Sequence, residues 1–288
     1  MAGRRTAARS EAMHHQIARQ LRTDIEAGVL RDGQALPSTR ALAQEWGVSS
    51  FTANEALTLL TAEGLIASRD RSGRVVTAPD QPTPALRKAG ARVVFVGGYA
   101  GSGKTELGRI LCRATGWPIL DKDTLTRPLV EMTLEAHGQS PHDRESPAYL
   151  ELIRPAEYES LMAVVDENLQ CGTSAIVTAP FLREFTDRAW LDRVAATADT
   201  VGASVTLVWV ACGADSMRSY IRRRGAARDA AKLTDWAGYL AGVDLGLRPA
   251  APHQVIDNSL DAPPLQQQAA QFLTGLIDAD ADTAADAS

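Results

Sequence analysis

The sequence predicts two domains of α/β class. A small N-terminal winged helix-turn-helix of α+β type precedes a larger α/β domain with a parallel sheet around a phosphate-binding loop. Three observations carry this: two short helical patterns joined by a glycine turn, a proline-rich break near residue 80, and a glycine-rich loop between an apolar strand and a helix. At 288 residues the chain is too long for one minimal domain, and 45% apolar against 23% charged residues suits a buried core.

In the first segment Ile17, Leu21 and Ile25 recur every four residues, the stripe of an amphipathic helix stopped near Gly28. Pro37 cannot lie inside a helix, while Ser38 can cap the next one, Thr39 to Trp46. Gly47 makes the turn, and Ser49 caps a second helix through about Glu63 with Ala53, Ala56, Leu57 and Leu60 on its inner face. The alternating stretch Arg69 to Thr77, with Gly73 at a hairpin tip, predicts a wing.

Residues 79–91 hold three prolines within six positions and read as a linker, which sets the first domain at 13–78 and the second at 92–277. Residues 278–288 alternate acidic residues and alanine without apolar anchors and are expected to be a disordered acidic tail. Residues 1–90 carry 12 Lys+Arg against 9 Asp+Glu, while the rest of the chain carries 18 against 26. A basic first segment on an acidic remainder places any polyanion contact in the first domain. Three isolated cysteines argue against a disulfide framework or zinc ribbon. With no long apolar run and no secretory leader, a cytoplasmic protein without membrane partners is expected.

In the second domain Val93–Val96 reads as a buried strand, and Gly98-Tyr-Ala-Gly101-Ser102-Gly103-Lys104-Thr105 follows it and opens a helix to about Thr115. That is the phosphate-cradling loop: backbone amides and the helix dipole face a phosphate, Lys104 neutralises it, and Thr105 offers a hydroxyl to Mg²⁺. A second strand, 118–120, delivers Asp121, Lys122 and Asp123 to the same sheet end. Asp123 is the expected general base and Asp121, with Thr105, the expected metal ligand. The strand from Ser174 ends without the usual Walker B aspartate. Arg222, Arg224 and Arg228, beyond the strand Val205–Val210, are placed to close over a triphosphate, and Asn258, ending the last strand, to meet the base. Between residues 127 and 170, Arg127, His137, His142, Arg144, Arg154 and Tyr158 lie on expected helices, and nothing in these residue types identifies an acceptor.

Two resemblances follow. The string LPSTRALAQEWGVSSFTANEALTLLTAEGLI…SGRVV resembles the winged helix of GntR-type bacterial transcriptional regulators. The resemblance implies operator DNA as partner, met by Arg40, by Ser49, Ser50, Thr52 and Asn54 on the recognition helix, and by Arg69, Arg71 and Arg74 on the wing. Ser50 and Asn54 stand where that family has arginines; asparagine can read adenine bidentately, so a different operator preference is expected. The P-loop, LDKDTL, RRRGAARD and VIDNS together are similar to P-loop kinase-like ATP-binding proteins, akin in architecture to gluconate kinase, chloramphenicol phosphotransferase and the zeta toxins. This implies ATP and Mg²⁺ as cofactors, an unidentified small-molecule acceptor or effector, Lys104, Asp123, Arg224 and Arg228 as the catalytic set, and Gly98, Gly101, Ser102, Gly103, Lys104, Thr105, Arg222 and Asn258 at the nucleotide. Three readings stay open: a regulator with a kinase-like sensor, a small-molecule kinase or resistance- or toxin-type phosphotransferase with an autoregulatory DNA-binding domain, and an ATP sensor without turnover. A homodimer is an open option in each.

Overall fold

A computed structural model describes residues 12–26, 29–30, 32–69, 73–77 and 90–286, with side chains to residue 277 except that of Arg228. The chain divides into two compact units, Met1–Asp80 with Leu260–Pro264, and Gln81–Ser259 with Leu265–Ser288. The short 260–264 stretch, expected in the second domain, groups with the first unit. Most of the expected linker, and Arg71 on the wing, lie outside the described residues.

The first unit contains helices α1 (Met13–Glu26), α2 (Thr39–Trp46) and α3 (Ser50–Ala62), then the antiparallel pair β1 (Ile66–Arg69) and β2 (Gly73–Val76), with Ile66 opposite Val76 and Arg69 opposite Gly73. The apolar stripe of each helix forms one core of Ile17, Leu21, Ile25, Leu42, Ala53, Leu57 and Leu60, closed by Ile66 and Val76. Local chemistry sets the helix ends. The Ser38 hydroxyl accepts from the Ala41 amide at 3.1 Å, and Gly47, at φ 63°, ends α2 in the left-handed region. The Ser49 hydroxyl accepts from the Thr52 amide at 3.1 Å at the start of α3. Ser49→Ala is therefore expected to cost the first unit about 1 kcal/mol; an unfolding transition identical to the parent's in calorimetry would contradict that capping role.

The second unit is a five-stranded, wholly parallel sheet in the order β4-β5-β3-β6-β7. Its strands are β3 (Arg92–Gly97), β4 (Ile119–Asp121), β5 (Ala175–Thr178), β6 (Ser204–Ala211) and β7 (Gln254–Asp257). All six residues of β3 are buried, the near-continuous apolar strand of a sheet covered on both faces. The helices are α4 (Lys104–Thr115), α5 (Lys122–Ala136), α6 (Arg154–Gln170), α7 (Arg188–Thr200), α8 (Ala214–Arg224), α9 (Ala230–Thr234), α10 (Trp236–Ala241) and α11 (Leu265–Asp286), with a π-helical turn at Ala148–Ile153 leading into α6. In spatial order the strands run second, third, first, fourth, fifth. The chain therefore leaves β3 for one side and later returns to the other, and the crevice beyond its carboxyl end is the topological switch point where α/β sheets bind ligands. Behind it Phe95, Phe181, Phe185 and Trp209 fill the core; the rings of Phe181 and Phe185 stack at 5.0 Å.

One expectation is corrected. Residues 278–286 continue α11 rather than forming a disordered tail. Alanine has the highest helix propensity and a helix meets its own backbone hydrogen bonds, so the pattern needs no apolar anchor to extend an existing helix. None of the described helices is long and apolar enough to cross a membrane.

Candidate functional site

The loop between β3 and α4 takes its shape from glycine. Gly101 and Gly103 lie at φ 81° and 94°. A β-carbon on Gly101 would stand 2.6 Å from the Ile221 side chain and 2.9 Å from the Met217 carbonyl, and one on Gly103 would run into the amide of Asn258. Asn258 donates from Nδ2 to the Ser102 carbonyl at 3.0 Å, and its own amide donates to Ala211. It braces the loop. The Ser102 hydroxyl is buried without a hydrogen-bond partner among the described residues. A loop that would reject a β-carbon and keeps an orphaned hydroxyl fits a ligand rich in acceptor oxygens.

Lys104 opens α4, half-buried, with Nζ 3.4 Å from the Tyr99 carbonyl. Burial lowers its pKa below the ordinary lysine value; the nearby Asp123 carboxylate works against that, and Arg224 reinforces it. Thr105 Oγ1 lies 3.3 Å from Asp121 Oδ2, the same oxygen that accepts from the Thr178 hydroxyl at 2.6 Å. Thr178 ends β5, and Asp121 ends the neighbouring strand β4. Asp121 Oδ1 accepts from the Thr124 amide at 2.9 Å, so this residue also caps α5. The helix cap is thus Asp121, and Asp123 sits in the first helical turn.

A cleft of about 810 Å³ opens beside the loop, lined by Lys104, Lys122, Asp123, Tyr149, Arg154 and Arg224 among others. Lys122, only 3% exposed, was not singled out in the sequence. Its Nζ donates to Glu157 Oε1 at 2.6 Å and lies 3.1 Å from Asp123 Oδ1. Glu157, also buried, accepts from the Thr126 hydroxyl at 2.7 Å and, at its other oxygen, from the Tyr149 hydroxyl at 2.7 Å. Burial, then the Glu157 charge, pushes the Tyr149 hydroxyl well above the ordinary tyrosine range, so it remains a donor. These groups come from β4–α5, the π-helical turn and α6, 35 residues apart at the Lys122–Glu157 bond. No local pattern announces such a pairing, although an isolated Lys122 between two aspartates was a clue.

The remaining expected residues divide. Arg224 donates from Nε and Nη2 to the buried Asp229 carboxylate, at 3.0 and 2.5 Å, which aims it along the cleft wall. Arg222 is exposed and outside the cleft lining, because two residues on a helix turn the side chain through about 200°. The side chain of Arg228 lies outside the described residues. Arg154 pairs with Glu184 at 2.8 Å over the Tyr158 ring. Arg144 also lines the cleft, whereas Arg127, His137 and His142 do not.

On the first unit Arg40, Ser49, Ser50, Asn54 and Arg69 are exposed and Thr52 and Arg74 half-buried. Arg74 is engaged within the protein: Nη2 donates to Asn54 Oδ1 at 2.9 Å and Nη1 to the Thr39 hydroxyl at 3.3 Å. Phe51, 71% exposed in the first turn of α3, escaped the sequence reading because one aromatic residue breaks no pattern.

The profile described as bacterial regulatory proteins of the gntR family matches residues 14–76, and that described as an AAA domain matches residues 93–244. The HTH-type transcriptional repressor NagR of Bacillus subtilis is 37% identical over 67 residues, 23% of this chain and 28% of the repressor. Shikimate kinase of Rhodopseudomonas palustris is 30% identical over 158 residues, 53% of this chain and 64% of the kinase. The chain thus spans less than two thirds of either curated relative. Among solved structures, an unliganded sugar kinase from Janibacter sp. aligns with a TM-score of 0.43 at 23% identity, over 64% of this chain and 95% of that one.

Proposed function

From a chain that belongs to the AAA-domain family through residues 93–244 and carries a gntR-family domain at residues 14–76, we infer a DNA-binding transcriptional regulator whose C-terminal domain binds ATP and senses or phosphorylates a small molecule. The observation that carries the nucleotide half is the convergence of Lys104, Asp123 and Arg224 on one cleft beside a loop that would reject a β-carbon. In this reading the loop amides and Lys104 hold the triphosphate, with Asn258 keeping the loop in shape. Thr105 and Asp121 supply the hard oxygen donors that would hold Mg²⁺, which when bound offsets phosphate charge. Asp123 takes the proton of an acceptor hydroxyl as that oxygen bonds to the γ-phosphorus and ADP leaves. Lys122, anchored by Glu157, keeps the Asp123 carboxylate in place, and Arg224 faces the transferring group.

At the DNA the exposed start of α3 enters the major groove, where Phe51 offers an apolar surface suited to a thymine methyl. Arg40, exposed in the first turn of α2, contacts a base or phosphate. Arg40→Ala is expected to weaken operator binding by roughly 1–3 kcal/mol, and an unchanged affinity in a footprint titration would remove it from the interface. Ligand at the C-terminal domain shifts operator affinity only as far as it binds one arrangement of the chain better than another. Titrating operator with and without ATP·Mg²⁺, and tracing labelled phosphate from ATP into a metabolite extract, tests both halves.

The second reading, a small-molecule kinase with an autoregulatory DNA-binding domain, is favoured by the buried Lys122–Glu157 pair beside Asp123. Such pairs are weak stabilisers for the polar groups they bury, and positioning a carboxylate gives this one a purpose.

A further inference from the structure

Resting on the nucleotide-binding reading, we propose that Asp229 is the positioning residue for Arg224. It grips one edge of the guanidinium and turns the other to the terminal phosphate of the nucleotide, so that the pair sets a preference for ATP over ADP. The local sequence builds this arrangement. Gly225, at φ 61°, ends α8 directly after Arg224, and a 3₁₀ turn at Ala227–Asp229 brings the chain back onto Arg224 within five residues. The Asp229 amide donates to the Ala226 carbonyl at 2.9 Å, which fixes where its side chain starts. Asp229 is only 1% exposed, so its carboxylate is kept from solvent and meets cations instead.

Asp229 Oδ2 accepts from Arg224 Nε at 3.0 Å and from Nη2 at 2.5 Å, and Lys232 Nζ lies 3.5 Å from Oδ1. This side-on pair uses the Nε donor and one donor of Nη2. Both donors of Nη1 and the second of Nη2 remain, and among the described residues no other acceptor takes them. One from each of those nitrogens runs parallel along the end edge, a fork that matches two oxygens of one phosphate. Arg224 lines the cleft together with Lys104 and Asp123, and its charge adds to burial in lowering the Lys104 pKa. The two cations therefore act on one small volume. A carboxylate beside a phosphate site opposes the anion unless its hold on the arginine outweighs its charge. Here the Arg224 side chain is 34% exposed, so solvent screens the charge, whereas an unheld arginine loses its rotamer freedom each time it binds.

The test is calorimetry of the full-length chain with ATP and with ADP at one Mg²⁺ concentration, expressed as the ratio of the two affinities. Arg224→Ala should reduce the parent's preference for ATP by roughly 10-fold or more, the loss of the fork. Asp229→Asn keeps the shape but removes the charge that grips Nε and Nη2. It should reduce the preference by roughly 5-fold and leave ADP affinity close to the parent's. Were the carboxylate only a counter-charge, Asp229→Asn would tighten ATP binding. Were it only a support for the turn, the variant would melt earlier with an unchanged ratio. Either result overturns the proposal. Should Asp229→Asn not fold, Arg224→Lys decides, because it keeps the charge and loses the fork. Its ratio should fall as in Arg224→Ala, and a ratio equal to the parent's overturns the proposal. A parent that binds neither nucleotide overturns the nucleotide-binding reading itself. A parent that binds ATP no more tightly than ADP overturns only this inference.

Discussion

Replacing Lys104 with alanine is expected to abolish measurable binding of ATP·Mg²⁺, a loss of roughly 10²-fold or more, since hydrogen bonds to charged groups contribute about 1.5–3 kcal/mol each and this ammonium faces more than one phosphate oxygen. The reason lies in what surrounds it. Desolvation already works against the charge on Lys104, and the Asp123 and Asp121 carboxylates oppose that effect. Triphosphate brings further negative charge to the same place, so the ammonium is held more strongly in its charged form when nucleotide is bound. Without it the loop amides face the phosphates beside two carboxylates and no compensating cation at the loop itself. Calorimetry on the variant decides the point: ATP bound as tightly as by the parent means that Lys104 does not serve the phosphates. Operator affinity measured without nucleotide should be unchanged, because the substitution lies outside the gntR-type domain.

The second large effect concerns Asp123. Asp123→Asn retains shape but replaces an acceptor-only carboxylate with an amide, and turnover of any acceptor should fall by roughly 10²-fold or more. ATP affinity should change little. The geometry favours this separation of roles, since Asp121 shares its oxygen with Thr105 and Thr178, while Asp123 sits 3.1 Å from the Lys122 ammonium on the cleft side. Three results are distinguishable. Lost turnover with intact ATP binding supports the base. No turnover in the parent, with ATP-dependent operator affinity intact in the variant, identifies a sensor. Loss of ATP·Mg²⁺ binding makes Asp123 a magnesium carboxylate and withdraws the base role.

Much of the architecture was legible in the sequence because its determinants are local. Ser38 and Ser49 announce helix starts by satisfying amides three residues away, Gly47 announces a left-handed turn, and Ala53, Ala56, Leu57 and Leu60 form a stripe at helical spacing. The phosphate loop was legible for the same reason: the left-handed conformations, the strand before it and the helix after it are written within about a dozen consecutive residues.

Contacts between distant residues were not legible in this way. That the Thr178 hydroxyl meets the Asp121 carboxylate depends on β4 and β5 lying side by side, 57 residues apart at the hydrogen bond. The Lys122–Glu157 bond likewise joins residues 35 positions apart in the chain. The bond from the Asn258 side chain to Ser102, 156 residues away, depends on the sheet order that brings β7 beside β6. The bond from Arg74 to Asn54 joins β2 to α3 between residues 20 positions apart in the chain. The sequence by itself determined the elements and the chemistry each could offer, because capping, periodicity and glycine conformations act within a few bonds of their cause. Only the tertiary structure decided which donor meets which acceptor, because a hydrogen bond needs its partners within about 3 Å, and that proximity is set by the packing of whole elements rather than by either residue's neighbours in the chain.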